Sequence, residues 1–65
     1  MKVVLNGREI DTAAATLDAF MVEAGYEGAV VATALNGQFV ARTMRDGKAL
    51  SEGDKIEIVA PMQGG

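Results

Sequence analysis

The chain has 65 residues, 49% of them hydrophobic and 23% charged, with a formal net charge of −3 at pH 7. It contains no cysteine and no histidine, which excludes disulfide staples, thiolate or imidazole metal sites, and catalysis by a Cys nucleophile or His base. Its basic residues are scattered and form no stripe that could neutralise phosphates, so neither nucleic acid nor a metal ion is expected as a ligand.

A chain this short buries only about 60% of the surface its unfolded form exposes, so its stability depends on one compact, well-patterned core. No apolar run approaches the roughly 20 residues of a membrane span, and no membrane partner is expected. Lys2 is followed only by Val3, Val4 and Leu5 before Asn6-Gly7 interrupts, so no signal peptide is read and a cytoplasmic location is the default expectation.

The first element is a hairpin. Lys2–Leu5 and Arg8–Asp11 flank Asn6-Gly7, and a type I′ turn needs positive φ at both central residues, which Asn-Gly supplies. A helix follows, because Leu17, Phe20, Met21 and Ala24 fall at i, i+3, i+4 and i+7 on one face. Thr16 is a suitable N-cap with Asp18 in the first turn, and Gly25 a suitable left-handed stop. A start at Thr12, with the alanines as first turn, is the alternative.

Ala29–Leu35 is expected as a Val- and Ala-rich strand, Asn36-Gly37 as a second turn, and Gln38–Ala41 as the return strand. Arg42 to Lys48 is a polar stretch. Leu50–Asp54 is a turn containing Gly53. Lys55–Val59 is the last strand, with Ile56 and Ile58 alternating against Lys55 and Glu57. The order ββαβββ predicts an α+β domain, one helix packed across one face of a mixed sheet. If the first and last strands pair centrally, Val3, Leu5, Ile56 and Ile58 meet Leu17, Phe20 and Met21.

Pro61 cannot donate to a ladder and ends the strand pattern. Residues 1–60 are therefore expected to form the domain and residues 61–65 a flexible tail. Two readings of Gly64-Gly65 stand on the dipeptide alone. One is a frayed end or a cloning remnant. The other is an arm that threads its terminal carboxylate into another enzyme, since residues without Cβ suit a narrow channel.

The ending Pro61-Met62-Gln63-Gly64-Gly65, preceded by Glu52–Val59, resembles that of the thiamine-biosynthesis sulfur carrier proteins, the ThiS family. The resemblance continues through Leu35-Asn36-Gly37, Val40, Arg42 and the opening Val4-Leu5-Asn6-Gly7. It departs between Ala41 and Asp46, where members often carry Pro and an aromatic residue. The resemblance implies the ubiquitin-like β-grasp fold. It further implies that an adenylating, E1-like partner uses ATP and magnesium to activate the Gly65 carboxylate. A sulfur donor, such as a cysteine desulfurase or persulfide relay, then makes a thiocarboxylate, and thiazole synthase takes the sulfur. The chain itself would bind no cofactor and supply no catalytic side chain.

On this reading Gly65 carries the chemistry, Gly64 gives access, and Gln63 and Met62 line the partner's channel; Met62 reads equally as a plain surface side chain. Val4 and Val59 alternate away from the core residues and would sit together on the open sheet face, either as part of a docking patch or as ordinary surface valines. Asp54 and Arg42 are read as solvated charges, with pairing to a partner as the alternative. The rival readings are a molybdopterin-pathway sulfur carrier, a protein-conjugating ubiquitin-like modifier, and a binding module with an inert tail.

Overall fold

The computed structural model describes residues 1–61. Strands β1 (Lys2–Leu5) and β2 (Arg8–Asp11) form the first hairpin. Its turn has φ of 48° at Asn6 and 84° at Gly7, the left-handed pair that the dipeptide suits. Helix α1 spans Leu17–Glu23. Strands β3 (Ala32–Leu35) and β4 (Gln38–Val40) are joined by Asn36-Gly37, again with positive φ at both residues. A 3₁₀ helix follows at Arg42–Gly47, and β5 (Lys55–Val59) closes the sheet.

The strand order is β2-β1-β5-β3-β4. Strand β5 lies at the centre, parallel to β1 and antiparallel to β3. The sheet is therefore mixed, as expected, and the first and last strands are neighbours. With α1 across one face, the order ββαβββ is that of the β-grasp.

A helix of seven residues does not persist alone in water, so α1 depends on its ends and its packing. Thr16 is the N-cap: its hydroxyl accepts from Ala19 N–H at 3.1 Å. Thr12 is not the start. It lies in the preceding loop, where its Oγ1 accepts from Ala14 N–H and donates to Glu23. The helix closes in a Schellman motif, with Gly25 N–H donating to the Val22 carbonyl and Tyr26 N–H to the Met21 carbonyl; Gly25 has φ of 90°.

Leu17, Phe20 and Met21 are buried against Val3, Leu35, Val40, Leu50, Ile56 and Ile58. Each such side chain contributes roughly 1.5–3 kcal/mol by its removal from water. Leu5 is only partly buried but packs on the same core. Ala24, expected on the buried face, is exposed. The Schellman closure brings Tyr26 back over that end of the helix, and Tyr26 packs on the core in its place.

Two further expectations are corrected. The third strand begins at Ala32, not Ala29, because Gly28 has φ of 78° and the Val31 carbonyl is used by Arg45 instead of a ladder. The polar stretch after β4 is the 3₁₀ helix, and it turns Arg45 inward.

Candidate functional site

Strand β5 leads directly to the C-terminal residues, so the site is built from what holds β5. On its β1 side, Val4 N–H donates to the Asp54 carbonyl and Asn6 N–H to the Ile56 carbonyl. There β1 turns away. The Asn6 side chain continues the ladder, with Oδ1 accepting from Ile58 N–H at 2.9 Å and Nδ2 donating to the Ile58 carbonyl at 3.1 Å. Asn36, from the other turn, accepts from Lys55 N–H and donates to Asp54 Oδ1. Asp54 also accepts from Ser51 N–H at 2.8 Å, so it is tied into its turn and is not the free solvated charge expected. Both Asn-Gly turns thus fix the same central strand.

The face of the sheet opposite α1 is open. Lys2, Val4, Glu9 and Asp11 lie at the β1–β2 end, with Lys55 and Glu57 in the middle. Towards β4 the face turns apolar: Val59 is opposite Ala32, and Ala34 opposite Phe39. Phe39 is 73% exposed and Val59 62%. At the polar end, Lys2 Nζ lies 3.1 Å from Asp11 Oδ1. That hydrogen bond, with the carboxylate's charge, raises the lysine above its ordinary pKa.

Val4 and Val59 share this open face but do not sit together. Val4 is paired with Lys55, four residues before Val59, which places the two valines about 13 Å apart along the strand direction. Half-buried Val4 lines a groove of about 620 Å³ between the two Asn-Gly turns. Val59 lines another, of about 330 Å³, with Val30, Ala60 and Pro61. Met62, Gln63, Gly64 and Gly65 lie outside the described residues.

Phe39 was not singled out by sequence, although a signal exists. After the Asn36-Gly37 turn, Phe39 and Val40 are adjacent, and period-two alternation forbids both from facing the core. Val40 is buried, so Phe39 points out. Arg45 carries no such signal. It is 6% exposed, with Nε–H donating to Thr33 Oγ1 at 2.9 Å and Nη2–H to the Val31 carbonyl at 2.7 Å.

Among the described residues, no cluster of three Asp or Glu side chains could hold a metal ion, and no helix is long and apolar enough to cross a membrane. The geometry offers an open sheet face and, at the end of β5, an apolar groove that Val59 and Pro61 line.

The thiamine biosynthesis protein (ThiS) of Geobacter metallireducens superposes with a TM-score of 0.84 at 25% identity, over 100% of both chains. The thiazole synthase of Paramagnetospirillum magneticum is 38% identical over 66 aligned residues, which cover 100% of this chain. This chain spans only about a fifth of that relative's length, 20%. The ThiS family matches residues 3–65, including the Gly64-Gly65 end. With that match over nearly its whole length, the chain belongs to the ThiS family.

Proposed function

We propose that the chain is a sulfur carrier of thiamine biosynthesis, a protein co-substrate and not an enzyme, working in the cytoplasm. The observation that carries this reading is the family match running through Gly65. A carboxylate is a poor electrophile, so sulfur cannot be installed without activation. A Gly65 carboxylate oxygen attacks the α-phosphorus of ATP on an adenylating partner, releasing pyrophosphate and leaving an acyl-adenylate. The terminal sulfur of a persulfide, supplied by a cysteine desulfurase or a relay, displaces AMP. A second thiol then cleaves the S–S bond, leaving the thiocarboxylate on Gly65 and a disulfide on the donor side. ATP and magnesium belong to the partner.

Gly64 lets the backbone enter a narrow channel, and Gln63 and Met62 line it. The open sheet face, with Val59 at the tail exit and Val4 at the far end, supplies docking area. Docking makes the reaction at Gly65 effectively intramolecular. Thiazole synthase is the acceptor of the sulfur. The name and extent of the Paramagnetospirillum relative support this: a protein called thiazole synthase contains a segment similar to the whole of this chain.

The test is intact-protein mass spectrometry after incubation with ATP, a thiamine-pathway adenylating enzyme and a sulfur source. A mass gain matching replacement of one oxygen by sulfur, abolished by deletion of Gly65, is expected. No gain with that enzyme, but loading by a molybdopterin-pathway enzyme, would reassign the pathway. No loading by either leaves a binding module with an inert tail.

A further inference from the structure

Arg45 is the buried charged side chain among the described residues, and its burial is uncompensated. Both of its hydrogen-bond acceptors, Thr33 Oγ1 and the Val31 carbonyl, are neutral, and no carboxylate of the described residues pairs with it. A guanidinium taken out of water without a counter-charge is costly. Its Nη1 makes no hydrogen bond within the described residues, where no buried side-chain nitrogen or oxygen lacks a partner. Nη1 is therefore not fully buried, and Arg45 lines a groove of about 320 Å³.

Arg42 lines the same groove. Side chains three apart eclipse on a 3₁₀ helix, so the two arginines project from one side of Arg42–Gly47. Asp18 and Glu27 also line the groove, without pairing to either arginine. With these carboxylates present a polyanion is disfavoured, and what the site offers a single carboxylate is the directional fork of a guanidinium. Val30 belongs both to this groove and to the one formed with Val59, Ala60 and Pro61 at the chain's exit. The arginine-lined groove therefore adjoins the one beside Pro61.

We propose that Arg42 and Arg45 form a recognition site for a carboxylate side chain of the protein that receives the tail. The partner's identity rests on the carrier reading above; the carboxylate site itself does not.

Acetate is the probe for the isolated chain, titrated at ionic strength held constant with chloride and followed by NMR at Arg45 Nε–Hε and the Val31 and Thr33 amides. A saturable shift at these groups, weakened severalfold in Arg42→Gln, is expected. Arg42 is exposed, so that variant keeps the fold. A non-saturating shift, or one unchanged in Arg42→Gln, overturns the site. With the adenylating enzyme, Arg42→Gln is expected to raise the KM for this chain about tenfold while leaving kcat within about twofold. An unchanged KM alongside saturable acetate binding overturns the partner assignment and supports the carboxylate site. Failure of the wild-type chain to load overturns the carrier reading, and the acetate titration still decides the site.

Discussion

The side chain of Asn6 holds the backbone of Ile58 at both its N–H and its carbonyl, at 2.9 and 3.1 Å, and so acts as one more rung between β1 and β5. The same residue sits at φ 48° in the turn, a conformation that Asn tolerates and Ala does not. Asn6→Gly separates the two roles, because Gly keeps the turn and removes the rung. It is expected to cost about 1–3 kcal/mol, two hydrogen bonds' worth, and to speed exchange of the Ile58 amide. Denaturant unfolding with hydrogen exchange checks this; a Gly variant as stable as wild type would refute the rung.

Phe20 is 1% exposed and faces the centre of the sheet from α1. Phe20→Ala is expected to destabilise by about 3–5 kcal/mol, while Ala24→Ser, on the exposed side, is expected to change stability by less than about 0.5 kcal/mol. Urea unfolding of the pair measures the helix's rotation directly. Similar losses from both would mean that the helix face is misassigned.

The sequence made local features legible and non-local ones obscure. Asn6-Gly7 and Asn36-Gly37 announced their turns because positive φ is a demand met by adjacent residues alone. Gly25 marked the helix end by the same demand, and Thr16 its start through a hydroxyl that caps a backbone N–H three residues on. Arg45 was hidden because its acceptors, Val31 and Thr33, lie 14 and 12 residues away, and an arginine in a polar stretch reads as solvated. The same contact explains the overlong third strand: Ala29–Val31 has strand composition, but a distant side chain claims the Val31 carbonyl. The spacing of Val4 and Val59 was hidden because it depends on register. Alternation fixes which face a residue takes, whereas only the Val4–Lys55 pairing reveals how far along the sheet it sits.

Lys2 gives a pH dependence of definite sign. Its folded pKa is raised, first by the hydrogen bond to Asp11 and then by that carboxylate's charge. A raised folded pKa means that the stabilisation is fully present below the ordinary lysine value, about 10.4, and is lost as pH rises through the folded value. The effect is small, because the pair is exposed and solvent-screened. Thermal melts of wild type and Lys2→Met are expected to differ by a constant small amount from neutral pH to about pH 9 and to converge above the lysine range. A difference that grows with rising pH would contradict the assignment.

The open face places Val4 and Val59, the two residues of the proposed docking patch, well apart. Val59 lies on it close to Pro61, Phe39 two strands away on β4 at the level of Glu57, and Val4 at the far end beside Lys55. On the proposed carrier reading, apolar surface beside Pro61 positions the C-terminus in the partner, so loading is expected to be most sensitive there. Val59→Asp is expected to leave the fold intact, since the side chain is 62% exposed, and to lower kcat/KM for loading by about tenfold or more. Val4→Thr is expected to lower it less than about threefold, because Val4 is half-buried in its own groove, away from the Val59 end of β5. Loading kinetics with the adenylating enzyme compare the two, with circular dichroism confirming the fold. Equal losses would extend the docking surface over the whole sheet face, and a silent Val59→Asp would move it off the sheet altogether, towards the arginine-lined groove at the 3₁₀ helix.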